Sequence, residues 1–207
     1  MEMLIVIAII AVLAGVAGPA LTNALFTAKV NGAMQQGRQI GLGLTGYAMD
    51  YSGYFPRGTN DSGENISSSN AAFRSLRDYI ADERVFAVAS SNWGHEADNN
   101  KDQGQFLAPG ENHFSYIAGL SSTSMPYYPL VVDGTNGSGT YTRDQTARGG
   151  CWQGKKGVVI RVDGSGSVVP MKGGDNERFI PRMEKPDQNA LETSYMGQGI
   201  TLLDPEG

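Results

Sequence analysis

Cysteine is nearly absent from this 207-residue chain, and it has no surplus of positive charge. The one cysteine, Cys151, excludes an internal disulfide, and we expect its thiol to be buried. The formal net charge is −5, whereas a nucleic-acid-binding protein needs an excess of Lys and Arg to neutralise phosphates. We therefore expect neither a disulfide-stapled fold nor nucleic acid as a partner.

Motifs of catalysis and of zinc binding are also missing. The chain has two histidines, His95 and His113, and neither is accompanied by further nitrogen or sulfur ligands at zinc spacing. No nucleophile elbow, phosphate-binding glycine loop or Cys-x-x-Cys motif occurs. We therefore expect a protein that is not an enzyme, has no catalytic residues and binds no organic cofactor. Both histidines are expected to be solvated in loops.

Charged residues are absent from Met3 to Ala28, and polar side chains are absent from Met3 to Gly18. A helix over the uncharged run would reach roughly 39 Å, which is more than the ~30 Å of bilayer hydrocarbon. A core helix of a water-soluble protein is rarely apolar on every face for such a length. The run therefore predicts a helix in lipid, or in a bundle of similar helices, that kinks or locally unwinds at Pro19.

Two other interpretations of this segment remain open from sequence. A secretory signal peptide would begin with basic residues, which the opening Met-Glu-Met lacks. A plain single-span anchor accounts for the apolar run but not for Glu2. A charged side chain at the bilayer centre costs about 2.5–3.5 kcal/mol, and less near the interface, so Glu2 should have a partner.

The run Glu2-Met3-Leu4-Ile5-Val6-Ile7-Ala8-Ile9-Ile10-Ala11-Val12-Leu13-Ala14, followed by Pro19, resembles the N-terminus of type IV pilins and type II secretion pseudopilins. The resemblance implies a leader that a prepilin peptidase removes, and it places the processed, N-methylated end upstream of Met1. It also implies that Glu2 pairs with the N-terminal amine of a neighbouring copy, and that apolar side chains form the filament core. These core residues are Leu4, Ile5, Ile7, Ile9, Ile10, Val12 and Leu13.

The implied function is a structural subunit of an extracellular pilus-like or pseudopilus filament built from copies of this chain. The subunit would lie in the inner membrane before assembly, contact the pilus or type II secretion assembly machinery, and end at the cell surface or in the periplasm. The alternative is a membrane-anchored ligand-binding domain that does not polymerise.

Three regions are predicted along the chain: a membrane or filament-core helix at residues 1–28, a continuation of that helix at 29–50 that packs on the domain, and a globular head at 51–207. Each glycine in a helix interior costs about 1 kcal/mol relative to alanine, so the continuation needs tertiary support. We expect its small residues to allow neighbouring helices to approach closely. Its glycines are Gly32, Gly37, Gly41, Gly43 and Gly46.

Within the head, Asn70 is expected to cap a second helix that runs to about Glu83, and residues 92–111 to form a surface loop. Short runs rich in β-branched and aromatic residues predict strands, and residues 163–166 predict a hairpin turn. The predicted strands are His113–Ala118, Tyr128–Val132, Gly157–Val162 and Ser167–Met171. The expected fold class is α+β: a long N-terminal helix, bent near Pro19, on a small antiparallel sheet with many loops, as in type IV pilins.

Asp98, Asn100 and Asp102 alternate as oxygen ligands do in calcium loops, although a closing glutamate at position twelve is missing. They make calcium a possible ligand. The resemblance separately implies a possible calcium site in a C-terminal loop, where major pseudopilins bind the ion.

Asn60, Asn65 and Asn136 begin tripeptides of the glycan-acceptor pattern. Residues 157–168 also resemble a region of a pseudopilin-like group, in which a histidine precedes Asp-Gly by ten positions. Asp163 and Gly164 match that pattern, and Gln153 stands at the histidine position.

Overall fold

A single helix dominates the computed structural model, which describes residues 2–60, 63–102, 105–175 and 177–206, with only the backbone described at Glu2, Ala8, Ala14 and Val16. This helix, α1 (Glu2–Asp50), is 49 residues long and confirms the predicted long helix. It remains helical through Pro19, so of the two expected effects of this proline, a kink or a local unwinding, the unwinding does not occur. The hydroxyl of Thr22 donates a hydrogen bond to the Pro19 carbonyl oxygen at 2.9 Å.

Five antiparallel strands form the main sheet: β1 (Phe114–Ala118), β2 (Pro129–Asp133), β3 (Lys156–Arg161), β4 (Gly166–Pro170) and β7 (Thr201–Leu203). They lie in the order β4-β3-β2-β1-β7. A small second sheet pairs β5 (Lys172–Gly173) with β6 (Arg178–Phe179). The four predicted strands and the hairpin turn between β3 and β4 are confirmed, and the α+β class with them.

The second half of α1 lies across β2, β3 and β4. Among the described side chains of the helix, Val30 is the first that is fully buried. Ile40 and Leu44 are 0% exposed, because their spacing of four residues keeps them on the face that meets the sheet. The core of the head therefore lies between this helix and the sheet.

The second helix is shorter than predicted and begins earlier. α2 (Ser69–Arg74) is capped by Ser68, whose hydroxyl accepts a hydrogen bond from the Ala71 N–H at 3.1 Å. Asn70 is not the cap because its buried side-chain amide donates to the carbonyl oxygen of Leu107. After Arg74 the chain continues in turns to a 3₁₀ helix, Glu83–Phe86.

The described residues between 92 and 111 contain no helix or strand, as expected of a loop. However, Phe106 and Leu107 are 3% and 0% exposed, so the expectation of a surface loop is wrong for its second part. The hydrogen bond from Asn70 holds this part of the loop against α2, and burial of the two apolar side chains follows.

The C-terminal segment after β7 joins α2 to the sheet. The carboxylate of Asp204 accepts hydrogen bonds from the hydroxyls of Ser115 and Thr135, both at 2.6 Å. Arg74 of α2 forms an ion pair with Glu206 at 3.0 Å. These contacts fix α2 beside β1.

Candidate functional site

The first half of α1 projects beyond the head and contacts little of it. Every described large apolar side chain from Met3 to Leu25 is between 51% and 81% exposed. We call residues 3–25 the apolar rod. Removing these side chains from water would stabilise an assembly by on the order of 10–20 kcal/mol, at about 1.5–3 kcal/mol for each fully buried side chain. Such a surface needs lipid or other protein chains around it.

The structure places the predicted filament-core residues on this rod. All seven are exposed: Leu4, Ile5, Ile7, Ile9, Ile10, Val12 and Leu13. They lie on all sides of the helix rather than in one stripe, because their spacing has no helical period. Pro19 is also exposed. The side chain of Glu2 lies outside the described residues, so its predicted pairing has no structural counterpart here.

By length and composition, α1 could cross a membrane: its most apolar 18-residue window has a mean hydropathy of 2.7 and no buried residue. Among the described residues, α1 is the one helix with these properties. Three glycines on it leave open space, since a Cβ atom added at Gly15, Gly18 or Gly32 would meet no heavy atom within 4 Å. The helix is therefore compatible with a membrane anchor and with close approach of a neighbouring helix.

An aromatic and basic junction marks the point where α1 enters the head. The ring of Phe26 packs edge-on against Trp152, with centroids 6.1 Å apart. The amines of Lys155 and Lys156 lie 5.6 and 5.9 Å from the centroid of the Phe26 ring. Cys151 borders the same junction and is half-buried. Burial raises the pKa of its thiol.

Glycines bring α1 close to the sheet. A Cβ atom added at Gly37 would lie 2.9 Å from Cγ1 of Ile160, and one added at Gly41 would lie 3.0 Å from its Cγ2. A Cβ atom added at Gly166 of β4 would lie 2.9 Å from Cδ1 of the same side chain. We call these four residues the Ile160 clasp. Because these three positions are glycines, the backbones of α1 and β4 approach the Ile160 side chain more closely than any larger residue would allow.

Gly43 and Gly46 also face the head. Their added Cβ atoms would lie 2.9 Å from Ile80 and 3.1 Å from Tyr79, respectively. The expectation that these glycines serve neighbouring helices is therefore wrong for Gly37, Gly41, Gly43 and Gly46, and Gly32 alone of the five faces open space. The reason is that the apolar face and the glycine face of the helix both contact the head.

Three carboxylates converge beside the loop of residues 92–111. One oxygen each from Glu83, Asp98 and Glu111 lies within 4.8 Å of the others. Glu83 and Glu111 are buried, at 0% and 4% exposure, and Asp98 is exposed. Burial is the main cause that raises the pKa of Glu83; the charges of Glu111 and Asp98 also raise it, while a hydrogen bond from the Leu107 N–H opposes them.

The predicted calcium residues are only partly in this cluster. Asp98 belongs to it, but Asp102 does not. The side chains of Asp98 and Asn100 accept hydrogen bonds from backbone N–H groups two residues ahead, at 2.7 and 3.1 Å. Glu83 and Glu111 carry no sequence signal for this cluster, because Glu83 lies at the predicted end of a helix and Glu111 at the end of a predicted loop, and no spacing connects them.

The two histidines differ in burial. His95 is exposed, as expected. His113 is 5% exposed, and its Nδ1 accepts a hydrogen bond from the Val88 N–H at 2.7 Å. Burial lowers the pKa of His113 to about 4. The expectation of a solvated loop histidine is therefore wrong for His113.

The glycan-acceptor residues lie in different surroundings. Asn60 is 6% exposed, and its amide nitrogen donates to Glu64 at 2.8 Å. The next two residues of that tripeptide, at positions 61 and 62, lie outside the described residues. Asn65 and Asn136 are exposed, and the amide of Asn136 donates to Thr140 at 2.8 Å. Of the three, Asn65 and Asn136 are the accessible positions for a modification.

The C-terminal pattern does not form a site. Gln153 lies in the turn before β3, where its side-chain oxygen accepts a hydrogen bond from Lys155 at 2.6 Å. Asp163 lies in the turn after β3, where its carboxylate accepts a hydrogen bond from the Ser165 N–H at 2.8 Å. The two residues are therefore at opposite ends of a strand, and Asp163 serves the hairpin turn.

No protein-family model, curated protein or solved structure matches this chain. The described fold, a long apolar N-terminal helix packed on an antiparallel sheet, is compatible with a pilin-like fold.

Proposed function

We propose that this chain is a structural subunit of an extracellular filament of the type IV pilus or pseudopilus kind, which polymerises through its apolar rod. The observation that carries the proposal is the exposure of the rod on all sides while the rest of α1 is fixed to the head. A single-span anchor and a filament-core helix both use such a surface. Further features favour the filament.

The first of these features is the continuity of α1. The helix passes from the rod into the head without a break, and the Ile160 clasp holds its second half against the sheet. Every copy of the chain would therefore present its head at the same angle to its rod. A helical filament needs this constancy, because a repeated heterologous contact builds a regular helix only if each subunit has the same shape.

A second feature is the open space at Gly15, Gly18 and Gly32. In lipid the hydrophobic effect does not drive helices together, so their association depends on close approach of the backbones, which small residues permit. A lone anchor surrounded by lipid has no such requirement. These positions therefore support contacts between rods of neighbouring copies.

Glu2 would supply the register between copies. In an apolar bundle its carboxylate needs a counter-charge, and the free amine at the N-terminus of the neighbouring subunit would supply one. Buried ion pairs of this kind serve specificity even where their net stabilisation is small. Before assembly the rod would lie in the inner membrane, where the assembly machinery and the prepilin peptidase would act on it.

Electron microscopy of material sheared from cells that express the chain tests this proposal. We expect thin fibres from the wild type, and none from Glu2→Gln, because the amide cannot neutralise the amine. Glu2→Gln should still be found in the membrane fraction in normal amount, since the apolar rod is unchanged. Gln39→Glu, a charge change at an exposed position of α1, is the control and should leave fibres intact. Normal fibres from Glu2→Gln would refute the ion-pair assignment.

The second candidate is a membrane-tethered binding domain. An open cleft of about 620 Å³ near Arg143, Lys155 and Arg178 favours it. However, Arg178 donates to the Gly154, Gly173 and Met171 carbonyl oxygens, and Arg143 pairs with Asp175 at 3.1 Å. Both arginines therefore have structural partners. Wild-type protein that remains in membranes and never yields fibres would favour this candidate over the filament.

A further inference from the structure

We propose that Glu83, Asp98 and Glu111 bind one Ca²⁺ ion, which fastens the loop of residues 92–111 to the 3₁₀ helix at Glu83–Phe86. The three residues come from separate parts of the chain, and one carboxylate oxygen of each lies within 4.8 Å of the others. Among the described residues, no Lys or Arg forms an ion pair with any of them. Lys101, in the same loop, donates to the Ile80 carbonyl oxygen instead.

A second observation points to a ligand independently of this clustering. Glu83 is 0% exposed, and its Oε1 accepts a hydrogen bond from the Leu107 N–H, but its buried Oε2 has no hydrogen-bond partner among the residues that the structure describes. Buried polar atoms without a partner are rare, because they lose their bonds to water and gain nothing in return. A cation satisfies such an oxygen directly, and the converging carboxylates supply its remaining ligands.

The donor atoms favour Ca²⁺ over other common ions. All are carboxylate oxygens, which suit hard cations, and the cluster contains no nitrogen or sulfur donor of the kind that zinc prefers. Two oxygens that bind one Ca²⁺ ion at about 2.4 Å lie at most ~4.8 Å apart, and each pair of the three carboxylate oxygens meets this limit. Mg²⁺ has shorter bonds and gives up its water reluctantly. The exposed side of Asp98 leaves room for water ligands and for entry of the ion.

Backbone hydrogen bonds already orient the carboxylates. The Ala108 N–H donates to Oε2 of Glu111 at 2.7 Å, and the Asp98 N–H donates to Oε1 of the same side chain at 3.3 Å. The Asn100 N–H holds Asp98 at 2.7 Å. Because each carboxylate is held by the fold, binding would order few additional groups.

Calorimetric titration and thermal denaturation of the full chain in detergent micelles, after treatment with a chelator, test the site. At a Ca²⁺ concentration 100 times the dissociation constant, we expect the midpoint of unfolding to rise by about 5–10 °C. The dissociation constant should lie below about 1 mM, as in extracellular calcium modules, and Mg²⁺ should bind more weakly. A wild-type midpoint that responds to neither Ca²⁺ nor chelator would overturn the proposal.

Matched variants separate this cluster from the pattern read in the sequence. Asp98→Asn alters an exposed position and should weaken Ca²⁺ binding at least tenfold, and Glu111→Gln should do the same. Asp102→Asn removes the same charge from the same loop and should bind Ca²⁺ as the wild type does. Weakening by Asp102→Asn equal to that by Asp98→Asn, or wild-type binding by Glu111→Gln, would overturn the assignment.

Discussion

Adding one methyl group at Gly37 should loosen the contact between α1 and the sheet, whereas the same change at Gly32 should not. Alanine is better than glycine in a helix by about 1 kcal/mol, and this gain applies to both positions. Both changes also restrict the unfolded chain equally, so that effect cancels between the two variants. The difference between them reports the contact with the sheet alone.

The structure sets the size of the difference. At Gly37 the new Cβ would lie 2.9 Å from Cγ1 of Ile160, which is 0% exposed. Ile160 cannot move aside freely, because Gly41 lies beside its Cγ2 and Gly166 beside its Cδ1. Overpacking of this kind costs about 1–3 kcal/mol. We therefore expect Gly32→Ala to be more stable than Gly37→Ala by about 1–3 kcal/mol.

Thermal denaturation followed by far-UV circular dichroism, on full chains in the same micelles, measures this difference. For a chain of this size it corresponds to midpoints about 2–12 °C apart. Ile160→Val alone should lower the free energy of unfolding by about 0.5–1.5 kcal/mol. The loss should be smaller in the Gly37→Ala background, because Ile160→Val removes Cδ1, which would lie 3.2 Å from the added Cβ. Coincident midpoints for the two alanine variants, or additive effects in the double variant, would refute the clasp as the reason for glycine at position 37.

Buried titratable and ionic groups give three more predictions. Burial raises the pKa of Asp133 to about 7, so the folded chain retains a proton that the unfolded chain releases near pH 4. The contribution of Asp133 to the free energy of unfolding therefore falls by up to about 4 kcal/mol as the pH rises from about 4 to about 7. Asp133→Asn should remove that fall in urea denaturation at stepped pH. The pKa of His113, near 4 in the folded chain, gives the opposite slope: its contribution rises by up to about 3 kcal/mol between pH 4 and 6.5, and His113→Asn should remove the rise. An unchanged pH slope in either variant would contradict its assignment. Arg74 pairs with Glu64 at 2.7 Å and with Glu206 at 3.0 Å, so Arg74→Met should lower the free energy of unfolding by about 2–4 kcal/mol. Arg77→Met, at a more exposed position, is the control. A loss for Arg74→Met no larger than that for Arg77→Met would show that these ion pairs add little.

Much of this architecture was predictable because its main elements have local signals. An uncharged run predicts the first half of α1 whatever it packs against, and runs of five or six residues rich in β-branched and aromatic residues predict β1 to β4. β7 has no such signal, since Thr201–Leu203 is short and stands among glycine and proline. It is a strand because the edge of β1 is available to pair with it.

The errors come from side chains whose partners are distant in sequence. Asn70 has the composition of a helix cap, but its amide is used in hydrogen bonds to Leu107 and to the backbone N–H of Glu206. Glu83 and Glu111 come together only after the loop has folded back on the 3₁₀ helix. No local pattern encodes contacts of this kind, so the acidic cluster became visible only in three dimensions.

The lengthwise contact of α1 with the sheet also determines how the molecule would respond to mechanical load. Tension applied along the axis of the rod acts parallel to the surface where Gly37, Gly41 and Ile40 meet the strands. Such shear must break many packing contacts at once, whereas a force perpendicular to the surface would peel them apart one after another. The contact between α1 and the sheet should therefore resist a force along the rod far better than a force perpendicular to the sheet.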